Sequence, residues 1–532
     1  MQSLVSHFDD FISAPEKKLW HALLALLIGA LLTLCLPPYD LWIVGFICFP
    51  LLFEILHRSP LKGIYTGFLF GFGYFCVGLI WIGNALLVDD NPYRWAYPIA
   101  ITGLPLILSI YPALACFIAK RFCNNSRLQL FIGLVGFYAL SELLRGHLFT
   151  GFPWNLTGYV WSGDDFASIL VSQTAAIGGI YFTSLLSAAW FLSPVLLRFK
   201  NKPQIITFML CMVSVIAALI YGALRLQDAG AATTANYNVK IVQPNISQAD
   251  KWNPHKQWSN LDTLLALSQP ENPQESHTKT VIIWPETAIS DYFLIRSKVR
   301  PYISAALSAY DDVTLVTGHL RVMDTQGHKT RSYYNSLSVF EQNMETATHY
   351  DKTRLVPFGE YIPFQKYIPI PTVTSFSGFK KGTGNHLINL GNDIQASGLV
   401  CYEIIFPNLI PKAQIQQSSV IINVTNDAWY GDSAGPHQHL AHAKFRAIET
   451  GKPIIRSANT GITAFTDPYG RITQKIPLNK KSNLTISASI SAAKLTFFVF
   501  SGQILTISLT LILCMTGLFL HYISKAYLLR KR

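Results

Sequence analysis

Charge is scarce in this chain. Only 14% of its 532 residues are Asp, Glu, Lys or Arg, against ~25% in an ordinary soluble protein. Half the residues are hydrophobic and 13% are aromatic. That balance excludes a wholly soluble chain and implies a membrane protein, or one with a membrane half. The formal net charge is +12, but no basic patch interleaved with aromatics goes with it. The Lys and Arg residues cluster beside hydrophobic spans, which argues against nucleic acid as a partner. No repeat on the scale of the chain is evident. Cysteine is nearly missing from the polar part. Of eight cysteines, Cys35, Cys48, Cys76, Cys116, Cys123, Cys211 and Cys514 lie in or beside apolar runs, which leaves Cys401 alone.

What is present comes in two parts. Apolar runs cover residues 19–36, 41–57, 64–87, 97–119, 128–144, 169–197 and 205–224, and an eighth covers 495–523. About 20 apolar residues cross a bilayer core, so each reads as a span, the first two being short. Another apolar run follows the first at once, so the first is read as an uncleaved span and not as a signal peptide. Loop charges give the orientation. Arg58 and Lys62, then Lys120, Arg121 and Arg127, then Arg198, Lys200 and Lys202, then Arg530, Lys531 and Arg532 fall in alternate loops. The positive-inside rule makes that side cytoplasmic. Asp89 and Asp90, and Asp164 and Asp165, fall on the other side, with Arg145. Seven spans from a cytoplasmic start place the segment after residue 224 outside, and an eighth returns the tail. Gly63, Gly67 and Gly71 give one helix a smooth packing face. Glu142 and Arg145, three apart, are expected to pair on one face. The aromatic loop that follows, through Trp154, is expected to anchor at headgroups.

The expected domains are therefore 1–235 in the membrane, 236–490 outside it, and 491–532 as a last span with a basic tail. In the middle part, charges and prolines return. Nearly continuous apolar runs at 239–243, 281–284, 313–318, 336–340, 396–401, 420–424 and 462–466 read as strands of a sheet buried on both faces. Helices are expected at 256–267, 299–310 and 437–450. This is an α/β domain large enough for its own core.

Polar residues follow several strand ends. Glu286 follows the run at 281–284, Cys401 ends the run at 396–401, and Thr425-Asn426-Asp427-Ala428-Trp429 follows the run at 420–424. Ligands of α/β sheets bind beyond the carboxyl ends of strands, so these tips are expected to converge. A lone thiol in an exported domain has no disulfide partner there. It is either buried and inert or kept for reactivity. A Cys nucleophile needs a base or a cation, and Glu286 and Lys352 are the candidates. By spacing alone, an ordinary Glu286–Lys352 ion pair is equally open.

Trp284-Pro285-Glu286-Thr287-Ala288, Lys352 with its downstream Pro357-Phe358-Gly359-Glu360, and Gly398-Leu399-Val400-Cys401-Tyr402-Glu403 together resemble the nitrilase superfamily. With the spans, the resemblance narrows to its membrane-anchored branch, the bacterial apolipoprotein N-acyltransferase family. Further matches are Arg145 to Trp154, Gln243-Pro244-Asn245 with Lys251-Trp252, Asn423 to Gly431, Gly435 to His439, Arg446 to Glu449, and Arg456 to Asn459. The resemblance implies a multi-span α-helical membrane domain carrying an exported nitrilase-like α-β-β-α sandwich. It implies a catalytic triad of Glu286 (base), Lys352 (oxyanion stabiliser) and Cys401 (nucleophile). Trp252, Glu360, Tyr402, Glu403, Asn426 and Trp429 are the implied supporting or substrate-binding positions. Tyr402 would give its backbone N–H to the oxyanion, and Glu403 would support the lysine. The implied reaction is ping-pong. An acyl chain from a phospholipid, phosphatidylethanolamine in typical members, forms a thioester on Cys401. It then passes to the α-amino group of a diacylated apolipoprotein. The implied location is the bacterial inner membrane, with the catalytic domain periplasmic.

No cofactor is expected. His437, His439 and His442 suggest metal ligands at first sight, but no carboxylate–histidine pattern supports zinc, and they read as a helix against the sheet. Arg446 and Glu449 read as a helix-face pair. The loop at 358–383 is a candidate gate for the lipids. The alternative activity is a membrane-tethered amidohydrolase, in which water resolves the acyl-enzyme. A transporter or scaffold fits poorly, because the trio is intact and the spans hold almost no charge.

Overall fold

The computed structural model describes residues 12–88, 91–198, 201–227, 237–324, 331–363, 378–391, 394–487 and 494–530. Asp89, Asp90, Lys200, Lys531 and Arg532, used above for orientation, lie outside them, as does 364–377 of the candidate gate. The chain divides into two units, one drawn from Met1–Gly83, Ala96–Gln227 and Ser501–Arg532, the other from Asn84–Trp95 and Asp228–Phe500.

The first unit is helical. Among the described residues, six helices are long and apolar enough to cross a membrane: Pro15–Cys35, Arg94–Cys123, Arg127–His147, Ala175–Arg198, Lys202–Gln227 and Ile504–Ser524. A seventh candidate is Gly63–Gly78 with Ile80–Leu86, bent by 49° at the break. The expected span at 41–57 is not among these six; it folds as the 3-10 turn Trp42–Val44 running directly into the helix Gly45–Arg58. Its last turns carry Glu54, a buried carboxylate that Arg127, Arg58 and Arg198 surround with ion pairs. The glycine face takes a close neighbour. A Cβ at Gly63 would fall 2.5 Å from the Cys116 carbonyl oxygen, and one at Gly67 2.3 Å from that of Pro112.

Two local expectations are corrected in this unit. Glu142 and Arg145 do not spend their hydrogen bonds on each other. Glu142 accepts from the Thr157 N–H and hydroxyl, both at 2.8 Å. Arg145 donates to the carbonyls of Phe152 (2.8 Å) and Trp154 (2.6 Å). The loop after the helix buries backbone groups that need partners, and these two side chains supply them. Trp154 is accordingly only 1% exposed, and it packs on Trp81 with ring centroids 4.8 Å apart. It is a core residue, and the anchor expectation passes to Phe149 of the same loop, which is 95% exposed.

The second unit holds two six-stranded sheets, in the orders β12-β1-β2-β3-β4-β5 and β11-β10-β9-β8-β7-β6. In the first sheet the strands are β1 (Tyr237–Gln243), β2 (Lys279–Ser290), β3 (Val313–Asp324), β4 (Arg331–Phe340), β5 (Thr346–Asp351) and β12 (Ser482–Ser487). In the second they are β6 (Leu387–Asn389), β7 (Gln395–Val400), β8 (Val420–Thr425), β9 (Ile454–Ala458), β10 (Thr463–Thr466) and β11 (Ile472–Ile476). The centres β1-β2-β3 and β7-β8-β9 are parallel, and the outer pairs are antiparallel.

Period-2 alternation divides the side chains between layers. Val281 and Ile283 of β2 join Ile422 and Val424 of β8 in the core between the sheets. Ile282 and Trp284 face the other way, into a core with Leu261 and Leu264 of helix Gln257–Leu267 and Ile303 of helix Val299–Leu307. Helix Ala434–Thr450 lies against the second sheet. The unit is an α-β-β-α sandwich, as the motifs implied. Arg446 and Glu449 do pair, at 2.7 Å, both buried.

Candidate active site

Glu286 lies where β2 loses register with β3, between Trp284 and Ile289. Thr287 beside it has φ +47°. The bulge is possible because β3 carries Gly318 there. A Cβ on that residue would sit 2.4 Å from the Glu286 Cα. Lys352 follows β5, and its N–H donates to the Asn335 carbonyl at 2.9 Å. Cys401 follows β7 and opens a short 3-10 turn, Cys401–Ile405. Its φ of +52° puts a non-glycine residue in the left-handed region, a strained conformation that surrounding contacts must hold.

The three side chains share one electrostatic environment. Burial pushes the Cys401 thiol up to about 12; the Glu286 carboxylate adds to this and the Lys352 ammonium opposes it. Burial alone would lower Lys352, but the Glu360 carboxylate outweighs it and keeps the amine firmly charged. Lys352 Nζ donates to Glu360 Oε1 at 2.9 Å. The amide of Asn335 bridges the two acids: its Nδ2 donates to Glu286 Oε1 at 2.7 Å and to Glu360 Oε1 at 3.0 Å. Glu360 Oε2 also accepts from the Val356 N–H at 2.8 Å. Lys352 is thus paired with Glu360, while the Glu286 carboxylate is held by an amide.

Glu403 acts on the lysine through its charge and through the backbone beside it. Its Oε1 accepts from Tyr350 OH (2.7 Å), Thr353 N (2.7 Å), Thr353 Oγ1 (2.9 Å) and Arg354 N (3.0 Å). Its Oε2 accepts from Val400 N at 2.9 Å. It fixes the backbone after Lys352 and the backbone before Cys401, and leaves the lysine amine to Glu360. A carboxylate on backbone N–H groups satisfies donors that a strand end would otherwise leave buried and unpaired.

The remaining positions divide. Trp252 lines a cavity with Lys251, Glu286, Thr287, Phe293 and Asn459. Tyr402 is buried and meets Phe406 edge-on, with centroids 5.1 Å apart. Asn426 is fully engaged: Nδ2 donates to Gln248 Oε1 at 2.8 Å, and Oδ1 accepts from Asn459 Nδ2 at 3.1 Å. It ties the strand end to the segment carrying Lys251 and Trp252. Trp429 is half-buried, one residue before Tyr430, whose carbonyl accepts from Asn84 Nδ2 at 2.7 Å.

Two site residues were not singled out as functional in the sequence. Asn335 sits on β4 in phase with Leu337 and Val339, both core residues. A polar residue at a core-facing parity was the available signal. Lys251 donates to the Glu286 backbone carbonyl at 2.7 Å, and burial pulls its ammonium down to about 8, with Glu286 opposing.

The comparisons with known proteins follow the same division of the chain. Residues 28–191 match the family model described as the apolipoprotein N-acyltransferase N-terminal domain. Residues 238–497 match the carbon-nitrogen hydrolase model. The chain is 37% identical over 503 residues to the apolipoprotein N-acyltransferase of Rhizobium rhizogenes, an alignment covering 90% of this chain and 93% of that one. It is 36% identical over 475 residues to that of Brucella melitensis, covering 86% and 88%. It is 34% identical over 475 residues to that of Rhodopseudomonas palustris, covering 86% and 87%.

Proposed function

The chain belongs to the apolipoprotein N-acyltransferase family, and from that premise we propose that it moves an acyl chain from a phospholipid to the N-terminus of diacylated lipoproteins. The acyl chain is carried between the two substrates as a thioester on Cys401. The observation that carries this reading is the linked set Glu286–Asn335–Glu360–Lys352, placed at strand ends around a buried, left-handed cysteine.

In the first half-reaction Glu286 takes the proton from Cys401 Sγ. A thiol raised by burial is a weak nucleophile until a positioned base removes that proton. The sulfur attacks the ester carbonyl carbon of the phospholipid and a C–S bond forms. The oxygen becomes negative and is held by Lys352 Nζ–H and the Tyr402 backbone N–H. Lys352 suits this task because Glu360 keeps it charged and in place. Collapse breaks the ester C–O bond, and Glu286 returns its proton to the departing oxygen of the lysophospholipid. In the second half-reaction the α-amino nitrogen of a diacylglyceryl-cysteine attacks the thioester. Glu286 takes the amine proton, the C–S bond breaks, and the proton returns to Cys401. The product is an amide, and the resting thiol is restored.

Phosphatidylethanolamine is the donor the family resemblance suggests. The family resemblance and the loop charges both favour a catalytic unit on the periplasmic side of the inner membrane, where both lipid substrates would present their headgroups.

The test incubates the full-length protein with phosphatidylethanolamine vesicles, then adds a diacylglyceryl peptide. We expect a mass increase of one acyl chain on Cys401 that hydroxylamine removes, followed by transfer to the peptide. Release of free fatty acid with no peptide product would make the protein a membrane-tethered hydrolase. Absence of any adduct in active protein would defeat the thioester route.

A further inference from the structure

A second group of buried charges sits against Cys401 and takes no part in the steps above. His439, on helix Ala434–Thr450, places Nε2 3.2 Å from the Cys401 carbonyl oxygen. Its Nδ1 lies 2.9 Å from Asp427 Oδ1 and 3.0 Å from Arg456 Nη2. Arg456 donates to Asp427 Oδ2 at 2.7 Å and to Asn423 Oδ1 at 2.6 Å. His439, Arg456 and Asn423 are completely sealed from solvent, and Asp427 is 1% exposed. Four polar groups, two of them formally charged, are a large burden to bury unless they hold something in place.

Hydrogen-bond capacity assigns the imidazole. A carbonyl oxygen only accepts, so Nε2 carries a proton. Nδ1 faces both an acceptor, Asp427 Oδ1, and a donor, Arg456; in the neutral ring it accepts from Arg456. Burial and the Arg456 charge both disfavour a second proton on this ring. Asp427 Oδ1 has another donor, the Thr425 hydroxyl at 3.0 Å. Burial opposes ionisation of Asp427, but the Arg456 charge outweighs it and holds the carboxyl below the usual range.

What His439 grips is one end of a rigid unit. In a trans peptide the C=O and the N–H lie in one plane and point in opposite directions. Holding the Cys401 carbonyl therefore fixes the direction of the Tyr402 N–H, away from the imidazole. Cys401 is in the left-handed region, where its own backbone preference would not keep that plane in place. We infer that His439, backed by Asp427 and Arg456, is a positioning residue that aims the Tyr402 N–H at the developing oxyanion. The inference rests on the thioester reading above and extends it to a part of the fold that touches no substrate.

Two probes applied to the full-length protein in vesicles separate this role from a merely structural one. A p-nitrophenyl acyl ester acylates Cys401 through an oxyanion. Iodoacetamide alkylates the same sulfur by direct displacement, with no oxyanion to stabilise. His439→Leu is expected to slow acylation by up to roughly 10²-fold, the lower end of what losing one oxyanion donor costs, while alkylation keeps its wild-type rate. A parallel fall in both rates would overturn the inference, because His439 would then merely shape the cysteine. His439→Gln presents an amide N–H near the Nε2 position and should restore acylation. His439→Asn presents one near Nδ1 and should not. Equal behaviour of the Gln and Asn variants would also overturn the inference, and that comparison decides the matter if the Leu variant fails to accumulate. Wild-type protein that accepts an acyl group from the ester but never from phospholipid would defeat the proposed function and leave the role of His439 standing.

Discussion

Two polar clusters converge on Cys401, built from similar parts and put to different uses. One is Glu286, Asn335, Glu360 and Lys352; the other is Asp427, His439, Arg456 and Asn423. Each contains at least one carboxylate, one permanent cation and one amide. The second is closed on itself: Arg456 is matched by Asp427, and the imidazole lies between them and the cysteine carbonyl. In the first, Lys352 is matched by Glu360, while Glu286 is held by the Asn335 amide, with the Lys251 charge at its backbone carbonyl. A cluster closed on an ion pair can fix a backbone; a carboxylate held by an amide can also move a proton.

The comparison can be broken at its largest effect first. Cys401→Ala should abolish transfer to a diacylated peptide while the protein still inserts and folds. Residual transfer would show that the nucleophile lies elsewhere. Next comes the closed cluster. Arg456→Leu leaves Asp427 buried without its cation, and removing one partner of such a pair costs about 3–5 kcal/mol. Melting of the detergent-solubilised protein should show the loss, and an unchanged melting point would mean this cluster does not hold the fold. Asn335→Leu tests the open cluster. It removes the amide shared by Glu286 and Glu360, for about 1–3 kcal/mol of stability, and should slow thioester formation further than that loss of folded protein explains. A rate that only tracks the folded fraction would make Asn335 a structural residue.

The smallest effect is a pH slope. Burial raises the Cys401 thiol to about 12, so the resting sulfur is protonated at neutral pH and its thiolate fraction grows as pH rises. Alkylation by iodoacetamide should keep accelerating past the ordinary thiol range of about 8.5. A plateau below that range would mean that the Lys352 charge dominates over burial.

The two clusters were not equally legible in the sequence. Glu286, Lys352, Cys401 and Glu360 stand in short runs where a polar residue closes an apolar strand or loop, and such punctuation can be read. His439 and Arg456 lie within regular elements, helix Ala434–Thr450 and β9, and only the packing of helix on sheet brings them together. Glu403 was legible as a site residue, but its hold on the Thr353 and Arg354 N–H groups and on the Tyr350 and Thr353 hydroxyls was not, because no sequence displays those partners. The same holds for the sheets. Continuous apolar runs revealed β1, β2, β3, β7 and β8, whereas β9, whose run is broken by Arg456, and the short or largely polar antiparallel β5, β6, β11 and β12 were missed. In the helical unit, Glu54 is a single charge in the apolar run ending at His57. Of the arginines that neutralise it only Arg58 is near in sequence, and Arg127 and Arg198 come from distant parts of the chain.

The left-handed backbone at Cys401 makes the active protein a compromise in its own fold. A residue with a Cβ is held there against a penalty of about 1–2 kcal/mol, which glycine does not carry. Cys401→Gly should therefore melt above Cys401→Ala although both are inert, and Ala melting at or above Gly would show that the left-handed turn carries no penalty. Selection for thermal resistance alone would drift toward an inactive protein at this position, and only the demand for a sulfur atom keeps the chain on the less stable choice.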